Sequence, residues 1–149
     1  MNYMERIAGF TTLWVLSMCS AYPSDSHSAP SHPRVQLKII DEPTERRFAL
    51  TLRSLEHKPV CLRYYQWPNS LGQVDDGPRR ATMRSREGTY PARDHNFGYS
   101  VGAGGTLRIL PGSTLTGFVA YSEFGNPALV QKLTHRELHF NVITHFCDG

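Results

Sequence analysis

From Val35 onward the apolar residues recur at every second position, and this period of two constrains the fold more than any other feature of the chain. Val35, Leu37 and Ile39 alternate with Gln36 and Lys38, and Phe48, Leu50 and Leu52 alternate with Ala49, Thr51 and Arg53. Val60, Leu62 and Tyr64 alternate in the same way with Cys61, Arg63 and Tyr65. Successive side chains of a strand point to opposite faces, so the pattern predicts strands with one face in a core and the other in water. It returns over 81–86, 107–109, 115–121 and 138–142, which makes seven candidate strands in the 115 residues from 35 to 149. Turn chemistry separates them: Asp41-Glu42-Pro43, His57-Lys58-Pro59, Asp75-Asp76-Gly77-Pro78, Pro111-Gly112 and Gly125-Asn126-Pro127. No stretch of 12 or more residues carries a helical period. The expected fold is therefore all-β, an antiparallel sandwich of about seven strands in two packed sheets, with a closed barrel as the alternative.

Residues 1–34 read differently. Arg6 precedes an apolar stretch from Ile7 to Met18, then come the small residues Cys19-Ser20-Ala21 and the helix-breaking Tyr22-Pro23. This is the layout of a secretory signal over 1–21, too short to span a bilayer. Two processing schemes fit it. Cleavage after Ala21 would use Cys19 and Ala21 as the flanking small residues. Alternatively, Leu16-Ser17-Met18-Cys19 resembles a bacterial lipobox, with Cys19 as the lipidated first residue, although Met18 stands where Gly, Ala or Ser is usual. Residues 20–34 hold five Ser and three Pro with few apolar side chains, and such a segment cannot bury enough surface to fold. Residues 22–34 are accordingly expected to be a disordered tether, and 35–149 the folded domain. No apolar run is long enough for a multi-pass membrane protein.

Either scheme leaves Cys61 and Cys147 as the two cysteines of the folded part. In an oxidising compartment an even count predicts a disulfide, here with one available pairing; two free thiols are the alternative. The bond would close a loop worth about 4–5 kcal/mol in chain entropy. If Val60, Leu62 and Tyr64 face the core, Cys61 has outward parity, and the bond would clamp the C-terminus to the outside of a strand. The net charge of +3 is too small for the concentrated basic surface of a nucleic-acid binder.

The segment Phe48 to Pro68, read with Thr106 to Tyr121, resembles the immunoglobulin-like sandwich domains of bacterial envelope and secreted proteins. The turn Leu107 to Ser113 is similar to their "x-Leu-x-x-Pro-Gly-Ser/Glu" connection, with one residue more between Leu107 and Pro111. The resemblance implies a non-enzymatic accessory, inhibitor or immunity-type module. Trp67 stands only six residues past Cys61, unlike the antibody pattern, so the inter-sheet disulfide of those domains is not carried over.

Catalytic groupings do not emerge. His135 and His139 would share a helix face at zinc-peptidase spacing, but Arg136 stands where that motif needs Glu, and the neighbouring alternation predicts a strand. On a strand the two histidines lie about 13 Å apart, too far for one ion. No metal site or cofactor is expected; a metal protein or enzyme using His135, His139 and His145 is the competing reading. Gly102-Ala103-Gly104-Gly105 leads into a strand where a phosphate loop would lead into a helix. Ser113 lacks a nucleophile elbow, and Asp75-Asp76 lacks the spaced acids of a calcium loop.

The most distinctive region is the connection 68–100. Between Arg79 and Arg93 there are five arginines, Arg79, Arg80, Arg84, Arg86 and Arg93, against one acid, Glu87. Tyr90, His95, Phe97 and Tyr99 follow, and Tyr65 and Trp67 precede it. Arginine with aromatic residues is the composition of protein-binding hot spots. These side chains are the expected partner-binding surface of a periplasmic or envelope-associated module whose partner is another protein. The alternative is a structural component of an envelope complex, anchored as a lipoprotein.

Overall fold

The alternating segments do form strands. The computed structural model describes residues 32–95, 97 and 105–147. Among the described residues nine strands run in the order β1 (Val35–Glu42), β2 (Arg47–Ser54), β3 (Val60–Arg63), β4 (Ala81–Arg84), β5 (Thr89–Pro91), β6 (Thr106–Ile109), β7 (Thr114–Ala120), β8 (Glu137–Phe140) and β9 (His145–Phe146). Two short helices, α1 (Gly77–Arg80) and α2 (Pro127–Lys132), interrupt them, and 3-10 turns follow β3 and β7. Every pairing is antiparallel. The strands form three three-stranded ladders, β1-β2-β7, β6-β3-β9 and β5-β4-β8. The domain is all-β and compatible with a sandwich, and among the described residues no ladder closes into a barrel.

All seven expected strands are present, and two short ones join them. The sheet count differs from expectation, three ladders in place of two. The reason lies after β3: the 3-10 turn Tyr64–Gln66 and the irregular run to α1 carry the chain away before β4 begins, so β4 starts a new ladder with β8. Residues 1–31, with the signal reading and Cys19, lie outside the described residues. The tether boundary shifts at its end. Pro33 is buried, the Arg34 backbone N–H donates to Glu56 Oε1 at 2.8 Å, and the Leu55 N–H donates to the Arg34 carbonyl, so 33–34 belong to the domain.

Register explains the core. On β2, Phe48, Leu50 and Leu52 are buried, and their partners Ile39 and Leu37 on β1 and Val119 on β7 continue the same face. Met83 lies opposite Leu138, and Leu62 opposite Leu107 beside buried Ile109. These inward faces of all three ladders share one cluster with Trp67, Val74, Tyr121, Phe124 and Val130. Full burial of such side chains stabilises the fold by about 1.5–3 kcal/mol each.

Two connections position the rest. Leu110 to Ser113 turns the chain from β6 in one ladder to β7 in another, closed by the Ser113 N–H donating to the Leu110 carbonyl at 3.0 Å. Gly112 takes φ 70°, the position of a type II turn that favours glycine after Pro111. Gly125-Asn126-Pro127 is more than a turn. Asn126 caps α2 by accepting from the Ala128 N–H at 3.0 Å, with Pro127 in the first turn.

Cys61 and Cys147 form the disulfide, with Cα atoms 5.0 Å apart. It joins β3 to the residue after β9, where the Cys147 N–H also donates to the Pro59 carbonyl at 3.1 Å. Cys61 is itself buried, while its neighbours on the same side, Arg108 and His145, are exposed. The bond thus lies on the outer side of the β6-β3-β9 ladder.

Candidate functional site

The connection 68–100 contains α1, β4 and β5, and β4 falls on the alternation expected over 81–86. Asp75-Asp76-Gly77-Pro78 starts α1, with Asp76 in the left-handed region at φ 50°. Gly77 is required by close approach: a Cβ there would lie 1.8 Å from the Arg93 carbonyl oxygen, so only glycine lets α1 lie against the strand-end segment 92–93. β4 then pairs with β5 on one side and β8 on the other. The β4–β5 hairpin is closed by the Ser85 N–H donating to the Gly88 carbonyl at 2.8 Å.

Alternation on β4 sorts the side chains. Ala81 and Met83 are buried; Thr82 and Arg84 take the opposite parity, across from His139 and Glu137 on β8. Arg84, Arg86 and Arg93 are exposed, and among the described residues none has an ion-pair partner within 4.0 Å. The Arg79 side chain is 85% exposed and reaches Asp76 only at 3.9 Å. Glu87, the one acid between Arg79 and Arg93, turns to Thr134 instead. Its carboxylate accepts from the Thr134 hydroxyl at 2.9 Å and backbone N–H at 3.2 Å. These bonds, with one from Ser85, hold its carboxyl at about 2.

Two residues assigned to this surface belong elsewhere. Arg80 is 8% exposed, and its Nη1 donates to the Asn141 carbonyl at 2.9 Å. Trp67 is buried in the core, where its Nε1 donates to the Thr116 carbonyl at 3.2 Å and its ring meets Phe140 edge-on at 5.8 Å. Arg80 faces inward because it ends α1 against Asn141, which follows β8, and Trp67 because it lies beneath β7. Tyr65 is half-buried in the 3-10 turn after β3. Tyr90 is half-buried and lines an apolar groove of about 300 Å³ with Phe124, Leu129, Val130 and Leu133. Phe97 stacks on His95 with centroids 5.2 Å apart. Tyr99, like Gly102-Ala103-Gly104, lies outside the described residues.

Sequence reading missed the pair that secures the end of this region. Glu123 is 2% exposed, accepts from His95 Nε2 at 3.0 Å and from the Val74 N–H at 3.3 Å, and its carbonyl takes the Arg93 N–H at 2.9 Å. Nothing local marks Glu123 as buried, since its partners lie 28 and 49 positions away.

The three C-terminal histidines are dispersed. His135 sits in a turn at φ 53°, His139 on the outer side of β8 and His145 on β9 in a different ladder. Among the described residues no three His, Cys, Asp or Glu side chains come together to hold a metal ion. No helix among the described residues is long and apolar enough to cross a membrane. In comparisons with known proteins, no family model matches the chain and no curated protein matches it.

Proposed function

We propose that the chain is an exported, non-enzymatic protein-binding module that grips an acidic surface of a partner in the cell envelope. The observation that carries this reading is the set Arg79, Arg84, Arg86 and Arg93, exposed on or beside backbone that α1, β4 and β5 hold in place. Arginines presented from paired strands lose less conformational freedom on binding than the same residues on an unstructured loop. Their charge complements acidic partners, steering encounter and fixing register. The apolar groove beside Tyr90, with exposed Leu129 at its lip, supplies a neighbouring place for an apolar anchor.

Export is supported by the signal layout of residues 1–21 and by the Cys61–Cys147 disulfide. The immunoglobulin-like assignment draws support from the segments that became β2–β3 and β6–β7. The test is capture from envelope extracts with the tagged, exported chain. Replacing Arg79, Arg84, Arg86 and Arg93 together by Ala should abolish recovery of the partner, while the thermal midpoint stays within a few degrees. Undiminished capture by the folded variant would refute the assigned surface.

A further inference from the structure

A pocket of about 280 Å³ opens between α1 and β8, and one of the two arginines that line it is buried. Arg79 and Arg80 meet Thr82, His139 and Asn141 there, and no carboxylate is among the lining residues. Arg80 is the informative member. Its backbone is fixed on both sides, with its N–H donating to the Asp76 carbonyl at 3.0 Å and its carbonyl accepting from the Asn141 N–H at 2.8 Å. Its Nη1 is used by the Asn141 carbonyl, and its Nε is buried with no acceptor among the described residues.

A buried guanidinium with an unmet donor and no counter-charge is costly, on the order of several kcal/mol. Two carboxylates stand beside other residues of the lining. Asp76 stands 3.9 Å from Arg79 and Glu137 stands 3.7 Å from His139, and both are well exposed. With Nη1 taken and Nε shut off from solvent, Nη2 is the donor of Arg80 that an oxygen on a carbon, phosphorus or sulfur atom can meet from the pocket. Arg79, held only loosely by Asp76, can close over such a group from the rim, with the Thr82 hydroxyl and the His139 ring as further polar groups.

We propose that this pocket binds a small oxyanion group, phosphate, sulfate or carboxylate, between Arg79 and Arg80. The proposal does not depend on the protein-binding reading. A free ion and a carboxylate carried on a bound chain present the same chemistry to the pocket.

The test is an NMR titration of the isotopically labelled exported chain with inorganic phosphate, acetate and a short peptide bearing one glutamate, each against chloride at matched ionic strength. Saturable movement of the Arg80 Nε–H resonance and the His139 ring by phosphate or acetate supports a free oxyanion as ligand. Saturable movement by the peptide without acetate supports a carboxylate delivered on a chain. Arg79→Ala, an exposed change that leaves the fold intact, should weaken the effective ligand at least fivefold, and Arg84→Ala, outside the pocket, less than twofold. An Arg80 resonance that no oxyanion moves, or that chloride moves equally, overturns the site. Equal weakening by the two variants also overturns it, because the effect would then be diffuse screening.

Discussion

Tyr121 donates its phenolic hydrogen to Oδ1 of Asp41, joining the end of β7 to the end of β1 across the Phe48 ring. Oδ2 of the same carboxylate accepts from Arg136 Nε at 2.9 Å, and the Arg136 guanidinium also lies over the Tyr121 ring, 5.5 Å from its centroid. Arg136 reaches the Gln131 carbonyl as well, at 2.8 Å, so one network ties two ladders to the end of α2. Tyr121 is fully buried, and Asp41 takes hydrogen bonds on both oxygens.

Tyr121→Phe should therefore cost about 1–3 kcal/mol, because Asp41 loses a donor at a partly buried site. Burial, followed by the Asp41 hydrogen bond and charge, raises the phenol from 10.0 to about 12. A raised folded-state value means that this contribution is complete below about pH 10 and is lost as pH climbs from 10 to 12. Denaturant melts between pH 8 and 12 should show an alkaline decline that is reduced in Tyr121→Phe; an identical decline in both proteins would contradict the assignment.

Gly117 on β7 lies under the Trp67 indole, where an added Cβ would stand 2.5 Å from Nε1. Gly117→Ala forces the ring off the Thr116 carbonyl and should cost about 1–3 kcal/mol, as overpacking does. A lowered thermal midpoint with a shifted Trp67 indole N–H resonance is the expected result. An unmoved resonance would show that the contact is looser than described.

The disulfide spans 86 positions and fastens the two-residue strand β9, which has little pairing of its own. Replacing both Cys61 and Cys147 by Ser should lower the unfolding free energy by about 4–5 kcal/mol on the chain-entropy account. Backbone amides around His145 and Phe146 should lose hydrogen-exchange protection before those of β2.

Glu87 reports on the β4–β5 hairpin from its tip. Its carboxyl is held at about 2, chiefly by the Thr134 side chain, against an ordinary 4.5. A lowered folded-state value adds stability above pH 4.5 that fades as pH falls toward 2. In Thr134→Val the Glu87 titration, followed by carboxyl NMR, should move up toward 4.5. A titration that stays near 2 would place the cause elsewhere.

What the sequence discloses depends on how far each determinant reaches along the chain. β1, β2 and β7 are long enough, at seven or eight residues, for alternation to be read directly. β5 and β9, with three and two residues, carry no period and exist only because β4 and β3 offer them edges. The α2 start was legible in Asn126-Pro127, yet a helix of six residues is too short for its apolar face to stand out. The arginine cluster was visible as composition. That Arg79 points out and Arg80 points in was not, because the difference is made by Asn141 on a segment 61 positions away. Trp67 read as a surface aromatic for the same reason: its partner Thr116 lies 49 positions on.

In the proposed function the exposed arginines around β4 and β5 form the binding surface. Once a partner has been captured, its affinity for the Arg79, Arg84, Arg86 and Arg93 quadruple alanine variant tests this most directly. The control is a variant with Arg53 and Arg108, exposed on the other two ladders, changed to Ala. Loss of at least tenfold in the first and less than twofold in the second is the predicted result. Equal losses in the two variants, or none in the first, would contradict it.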